Sequence, residues 1–204
     1  MTPFSRRAFT AAAAASLLAG CGGHPAGRTT TASPTGGRPP SSPSPAKAVR
    51  PLGRSVPVRL LIPAIGVDTP VIRLGLAPDG RVQVPPVTAH DRAGWYRHSP
   101  TPGQVGPAVI LGHVTVGSFG DGVFRHLTGL RRSDRVVARL ENGTAAEFAV
   151  TAVRTVAKAD FPADDVYGDV DRPELRLITC GGPRSGDGYL DNVIVFAALT
   201  SAGP

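Results

Sequence analysis

Between Val56 and Ala198 the chain is a succession of short apolar runs, each cut off by glycine, proline or a polar turn. That rhythm limits the fold more than any other property of the sequence. Several runs alternate apolar and polar side chains, as half-buried strands do. Val56–Pro63 carries prolines near its ends, where a lost amide donor is tolerated. Thr69–Leu74, Val82–Pro85, Ala108–His113, Arg135–Leu140 and Ala146–Val153 follow as further extended segments. Ile65-Gly66-Val67-Asp68 and Pro78-Asp79-Gly80 read as turns, and Glu141-Asn142-Gly143-Thr144 as the tip of a hairpin. Short helices are expected over Val123–Leu130 and Pro162–Tyr167. The 25 glycines and 21 prolines suit such a turn-rich chain. The expectation is one mainly β domain over residues 56–200, closed or nearly closed into a barrel.

The sequence before that domain reads as an export and tethering apparatus. Arg6 and Arg7 precede an apolar segment, Ala11–Ala19, that is too short to span a bilayer. Ser5-Arg6-Arg7-Ala8-Phe9 resembles a twin-arginine signal, and Leu18-Ala19-Gly20-Cys21 resembles a bacterial lipobox, which makes Cys21 the lipidation site and residues 1–21 the signal peptide. Residues 22–55 read as a linker, because Pro, Gly, Ser and Thr leave almost nothing to bury against the cost of ordering. The mature chain is expected outside the cytoplasm, lipid-anchored to the membrane and facing the cell wall. The formal charge of +7 is scattered rather than gathered, with no interleaved basic and aromatic motif, so nucleic acid is not an expected partner.

Chemistry enters with Leu175-Arg176-Leu177-Ile178-Thr179-Cys180-Gly181-Gly182. The alternation predicts a strand that delivers Cys180 to its end, where two glycines break the pattern and let a substrate backbone approach. Asn192–Ala198 predicts a second strand able to pair with it. A thiol becomes a nucleophile beside a general base. His113 ends the apolar run Val109–Leu111 after Gly112, so its imidazole is expected at a strand mouth, as Cys180 is. His24 falls in the linker, and His90, His98 and His126 lie in polar or loop contexts. No metal site and no cofactor are expected, since one domain cysteine and scattered histidines do not supply ligands at zinc spacing.

The ordered set Leu61–Val67, Gly94-Trp95-Tyr96, Leu111-Gly112-His113 and Leu177–Gly182 resembles the sortases over essentially the whole domain, about Val56 to Ala198. The Thr-Cys-Gly-Gly ending, with Tyr189, Asp191 and Asn192 before the last strand, is most similar to the class F group of actinobacteria. The resemblance implies an eight-stranded sortase β-barrel with short helices and a cysteine transpeptidase. In such an enzyme Cys180 attacks a Leu-Pro-x-Thr-Gly-like sorting signal and His113 protonates the leaving amine. A peptidoglycan precursor or another amine then accepts the acyl group. Sortases also hold the substrate and oxyanion with an arginine near the final strand. Here that place is occupied by Asn192, and the nearest arginine is Arg184, so either Arg184 or Asn192 is expected to serve. Two other readings keep the scaffold: a weak or inactive peptide- or wall-binding lipoprotein, and a hydrolysing thiol peptidase. An L,D-transpeptidase is set aside because Cys180 lacks the glycine before and the arginine after that such a motif carries.

Overall fold

The computed structural model describes residues 49–186 and 188–204. The signal peptide, His24, Cys21 and most of the expected linker lie outside the described residues. In chain order the strands are β1 (Pro57–Ile62), β2 (Val67–Leu74), β3 (Ala93–Tyr96), β4 (Gly106–Leu111), β5 (Thr115–Val116), β6 (Gly120–Asp121), β7 (Arg135–Leu140) and β8 (Ala145–Ala157). The helix α1 (Ala163–Tyr167) follows, and then β9 (Pro173–Ser185) and β10 (Gly188–Gly203). Eight of these strands form a closed barrel in the order β1-β2-β3-β4-β9-β10-β8-β7. The remaining pair, β5 and β6, makes a small hairpin. The mainly β, eight-stranded closed barrel expected from the sequence is therefore the fold.

Period-two alternation sorts the side chains. Leu60, Ile62, Trp95, Ile110, Phe148, Leu175, Leu177, Val193 and Val195 fill the barrel interior. The opposite set, Val109, Ile178, Ile194 and Phe196, forms a second cluster on the outer face with Val166 of α1. Polar anchors hold α1 there. Buried Arg176 donates from Nε to the Asp165 carbonyl at 3.1 Å, pairs with Glu174 at 2.6 Å and lies 4.6 Å from the Phe196 ring centre. Arg154 pairs with the Asp165 carboxylate at 2.7 Å. A buried cation is tolerable when paired and hydrogen-bonded in this way.

Several local expectations need correction. Thr69–Leu74 begins two residues earlier, at Val67, because Gly66 takes the left-handed conformation (φ 68°) that ends the preceding 3-10 turn. Val123–Leu130 is not a helix; only a 3-10 turn at Leu127–Gly129 forms, and Phe124 and Leu127 are buried in the core instead. Val82–Pro85 is not a strand; it meets the Leu76 side through an isolated Leu76–Val82 bridge and the Gln83 side chain, which accepts from the Gly75 amide at 2.8 Å. Residues 49–55, at the end of the expected linker, lie against the barrel. There the Leu52 amide donates to the Gly103 carbonyl at 2.8 Å, and Arg54 sits 5.5 Å from the Trp95 ring centre.

Because Phe148 is 1% exposed inside the barrel, Phe148→Ala is expected to cost about 3–5 kcal/mol in urea unfolding. A loss below about 1 kcal/mol would mean the interior is not close-packed at that position.

Candidate functional site

Two parallel pairings govern the site, and the one between β4 and β9 matters most. Its register sets Ile110 beside Leu177 and Leu111 beside Ile178. The Gly112 amide carries the ladder one step further, donating to the Ile178 carbonyl at 3.1 Å. Continued to the next residue, the same register brings His113 abreast of Cys180, on strands that stand about 4.8 Å apart. On the other flank β10 sets Asn192 directly opposite Cys180. Cys180 shares the outward face of β9 with Ile178, one alternation along. It is half-buried and carries a free thiol. The strand does not end at Cys180, as the sequence suggested. It runs on to Ser185, with a register shift opposite Tyr189–Asp191. Gly182 makes this possible: its φ is +71°, and a methyl there would overlap the Asp191 carboxylate.

His113 is fixed from two sides. Its carbonyl accepts from the Phe124 amide at 2.8 Å, and the Gly122 amide donates to the Val114 carbonyl at 2.9 Å. Gly112 has no room for a side chain, since a methyl would come within 2.6 Å of Phe124 and 2.7 Å of Val123. Gly122 likewise lies flat against the His113 carbonyl. On the ring, Nε2 lies 2.6 Å from the Pro85 carbonyl oxygen. A carbonyl only accepts, so Nε2 carries the proton and Nδ1 is the nitrogen left to exchange one. Among the described residues no hydrogen bond joins thiol to imidazole, a looseness common before substrate binds.

The pair stands where two cavities meet. The first, about 350 Å³, is lined by His113, Thr115, Lys158, Cys180, Arg184 and Tyr189, among others. The second is small, about 80 Å³, and mostly apolar, with Val84, Leu111, Ile178, Thr179 and Asn192 around the same His113 and Cys180. Leu111, Ile178 and Asn192 also border a wider hollow of about 460 Å³ that reaches Phe161 and Tyr167. Burial pushes the Tyr167 hydroxyl pKa up, and neighbouring Tyr96 adds to the effect. An apolar channel thus leads to the thiol from one side and a polar chamber from the other.

Arg184 and Asn192 therefore both border Cys180, but on different sides. Arg184 pairs with Tyr189 near the tip of the β9–β10 hairpin, with its guanidinium carbon 5.4 Å from the Tyr189 ring centre. The Tyr189 hydroxyl is in turn 2.8 Å from Thr115 Oγ1. Sequence reasoning missed Lys158 and Pro85 as site residues and named Tyr189 only as part of a resemblance, with no role. Neither Lys158 nor Pro85 lies in a motif, and a backbone carbonyl leaves no signature at all. His90, His98 and His126 line neither cavity at the thiol.

A sortase domain model matches residues 60–200, most of the chain and nearly all of the barrel. The chain belongs to the sortase family. Solved sortases share the fold at low identity. The chain is similar to sortase A of Listeria monocytogenes, with 16% identity, a TM-score of 0.55, and 72% of this chain and 89% of that one covered. The SrtA sortase of Actinomyces oris gives 24% identity and 0.55, over 74% and 82%. The sortase D5 transpeptidase of Clostridium perfringens gives 21% and 0.53, over 72% and 79%. No curated protein sequence matches the chain. Sortases work at the cell surface on sorting-signal peptides and amine acceptors. No helix among the described residues is long and apolar enough to cross a membrane.

The Pro85 contact makes a prediction that nitrogen NMR can check. At a pH where His113 is neutral, its Nε2 should show the protonated-type 15N shift and its Nδ1 the unprotonated type. The reverse pattern would remove the Pro85 hydrogen bond and the assignment of Nδ1 as the exchanging nitrogen.

Proposed function

We propose that this sortase is a class F-like cysteine transpeptidase in which Cys180 is the nucleophile and His113 the general acid and base. The observation that supports this most is the β4–β9 register, which brings the two residues abreast at the junction of the cavities. The Cys180 thiolate attacks the Thr carbonyl of a Leu-Pro-x-Thr-Gly-like signal, and His113 gives a proton to the departing glycine amine. The thioester then yields to a second amine, whose proton returns to His113. One hard amide exchange becomes two easier acyl transfers.

The apolar channel past Leu111, Ile178 and Asn192 suits the acyl portion of the signal, and the polar chamber suits the amine. Asn192, in register with Cys180, is assigned as donor to the oxyanion. A preorganised amide does this work without carrying charge. Arg184 lies further along β9, on the amine side. We also propose that residues 1–21 are a twin-arginine-type lipoprotein signal and that Cys21 carries lipid. Residues from 22 to about 48 would span the distance to the wall, so the domain would work tethered to the outer membrane face.

The test is mass spectrometry of the full chain with a library of Leu-Pro-x-Thr-Gly peptides and an amine. The expected result is an acyl adduct at Cys180 and an amine-capped product. Both should vanish in Cys180→Ala, and turnover in His113→Ala should fall by about 10²–10⁴. Asn192→Ala should lower kcat by about 10²–10³ with little change in KM. An adduct that yields only hydrolysed product would make the protein a thiol peptidase. No adduct from folded protein with any peptide would reject the enzyme reading in favour of a binding module.

A further inference from the structure

Among the described residues, the chamber on the amine side of Cys180 is lined by two cations and no anion. Lys158 follows the end of β8 and Arg184 precedes the β9–β10 turn, and both line the cavity that contains Cys180 and His113. No lining residue is acidic, and neither cation forms an ion pair among the described residues. Several arginines elsewhere do have a carboxylate partner. Arg59 meets Asp68 at 2.5 Å, Arg154 meets Asp165 at 2.7 Å, and Arg172 and Arg176 both meet Glu174 at 2.6 Å. The chain has only two lysines, Lys47 and Lys158, so the single lysine of the described domain stands beside the thiol.

Arg184 is also steered. Its guanidinium lies over the Tyr189 ring, and the Tyr189 hydroxyl is held by Thr115 across the chamber. A ring face holds a guanidinium by cation–π attraction while leaving its N–H edge free to donate. A fixed guanidinium and a flexible ammonium on one wall form a receptor for a carboxylate.

We propose that Lys158 and Arg184 bind a carboxylate carried by the amine-side substrate of Cys180. The inference rests on the transpeptidase reading for its location: leaving and incoming amines occupy the same side of the thioester carbon. The chemistry sought is a primary amine with a carboxylate close by, as in an amino-acid or short-peptide acceptor with a free acid. During transfer the amine nitrogen bonds to the acyl carbon, the carbon–sulfur bond breaks, and the amine proton passes to His113. The carboxylate stays on the cation wall throughout and only positions the nitrogen.

The first experiment needs no substrate. The full chain is alkylated with iodoacetate or iodoacetamide, and modification is read by mass spectrometry at the Cys180 peptide. The two reagents form the same carbon–sulfur bond and release iodide, differing only in charge. Relative to glutathione, Cys180 should favour iodoacetate by about fivefold at low salt, with the preference fading toward 1 M salt. Lys158→Gln should bring the ratio toward that of glutathione, and Lys158→Arg should restore it. Arg139→Gln, which changes an exposed cation on β7, separates this local effect from the net charge. A glutathione-like ratio in the native chain, or equal losses in Lys158→Gln and Arg139→Gln, would overturn the proposal.

The second experiment compares glycylglycine with glycylglycinamide as acceptors, and signals ending Thr-Gly-Asp with those ending Thr-Gly-Asn. A KM advantage for the acid acceptor, reduced in Lys158→Gln, places the carboxylate on the acceptor. The same pattern confined to the peptides places it on the departing segment, and either supports the cation wall. Product formed at equal efficiency from every pair rejects the wall and leaves the transpeptidase standing. An iodoacetate preference without any acyl adduct does the opposite.

Discussion

The parallel pairing of β4 with β9 is the constraint on which the site depends. Parallel neighbours cannot be joined by a tight turn, so the chain must travel far between them. Here that journey is used to build β7 and β8, which close the barrel, and α1, which covers its outer face. The register is held at one end by Gly106 beside Pro173 and at the other by the Gly112 amide on Ile178. A shift of one residue would turn the interior side chains of β9 outward. The buried set Leu175, Leu177 and Thr179 therefore fixes where Cys180 points as firmly as anything near the thiol.

Around that pairing the molecule separates two environments. Side chains outside the barrel, Leu111 and Ile178, make the approach from one side dry. Residues from chain turns, Thr115, Lys158 and Arg184, make the other side polar. The imidazole sits between them, with one nitrogen tied to the Pro85 carbonyl by the long connection from β2 to β3. That connection does for His113 what a carboxylate does in a Ser-His-Asp triad: it settles orientation and tautomer. The orphaned Thr179 hydroxyl, buried below the thiol without a partner, is the one polar atom at this junction left unsatisfied among the described residues.

Much of this was legible in the sequence because it depends on local pattern. Cys180 and His113 stand out as reactive side chains at the ends of apolar alternation, and the strands β1, β7, β9 and β10 follow from that alternation alone. What escaped depends on long-range geometry. Ala93–Tyr96 is short and runs straight into Arg97 and His98, so its role as a barrel strand is visible only from its parallel neighbour β2. Val123, Leu127 and Leu130 mimic helical spacing, yet the segment is a clamp whose amides are taken by His90 and His113. Lys158 is a single exposed cation with no pattern around it. Only the folding of β8 onto β10 brings it to the chamber. The glycines after Cys180 look like a break in the sequence, whereas Gly182 accommodates a bulge and the strand continues to Ser185.

Closure of the barrel has a consequence for how an extended peptide can be selected. Each of the eight described strands has a neighbour on both sides over part of its length, so the barrel offers a ligand no whole strand edge, only the ends of strands such as β9 beyond Ile178. Many peptide-binding domains draw their affinity from such β-augmentation, where main-chain hydrogen bonds hold almost any sequence and pockets refine the choice. A closed barrel confines that generic grip to short strand ends. Discrimination then falls mainly to side-chain shape and charge along the channel and chamber. A protein built this way trades breadth of recognition for dependence on a few contacts.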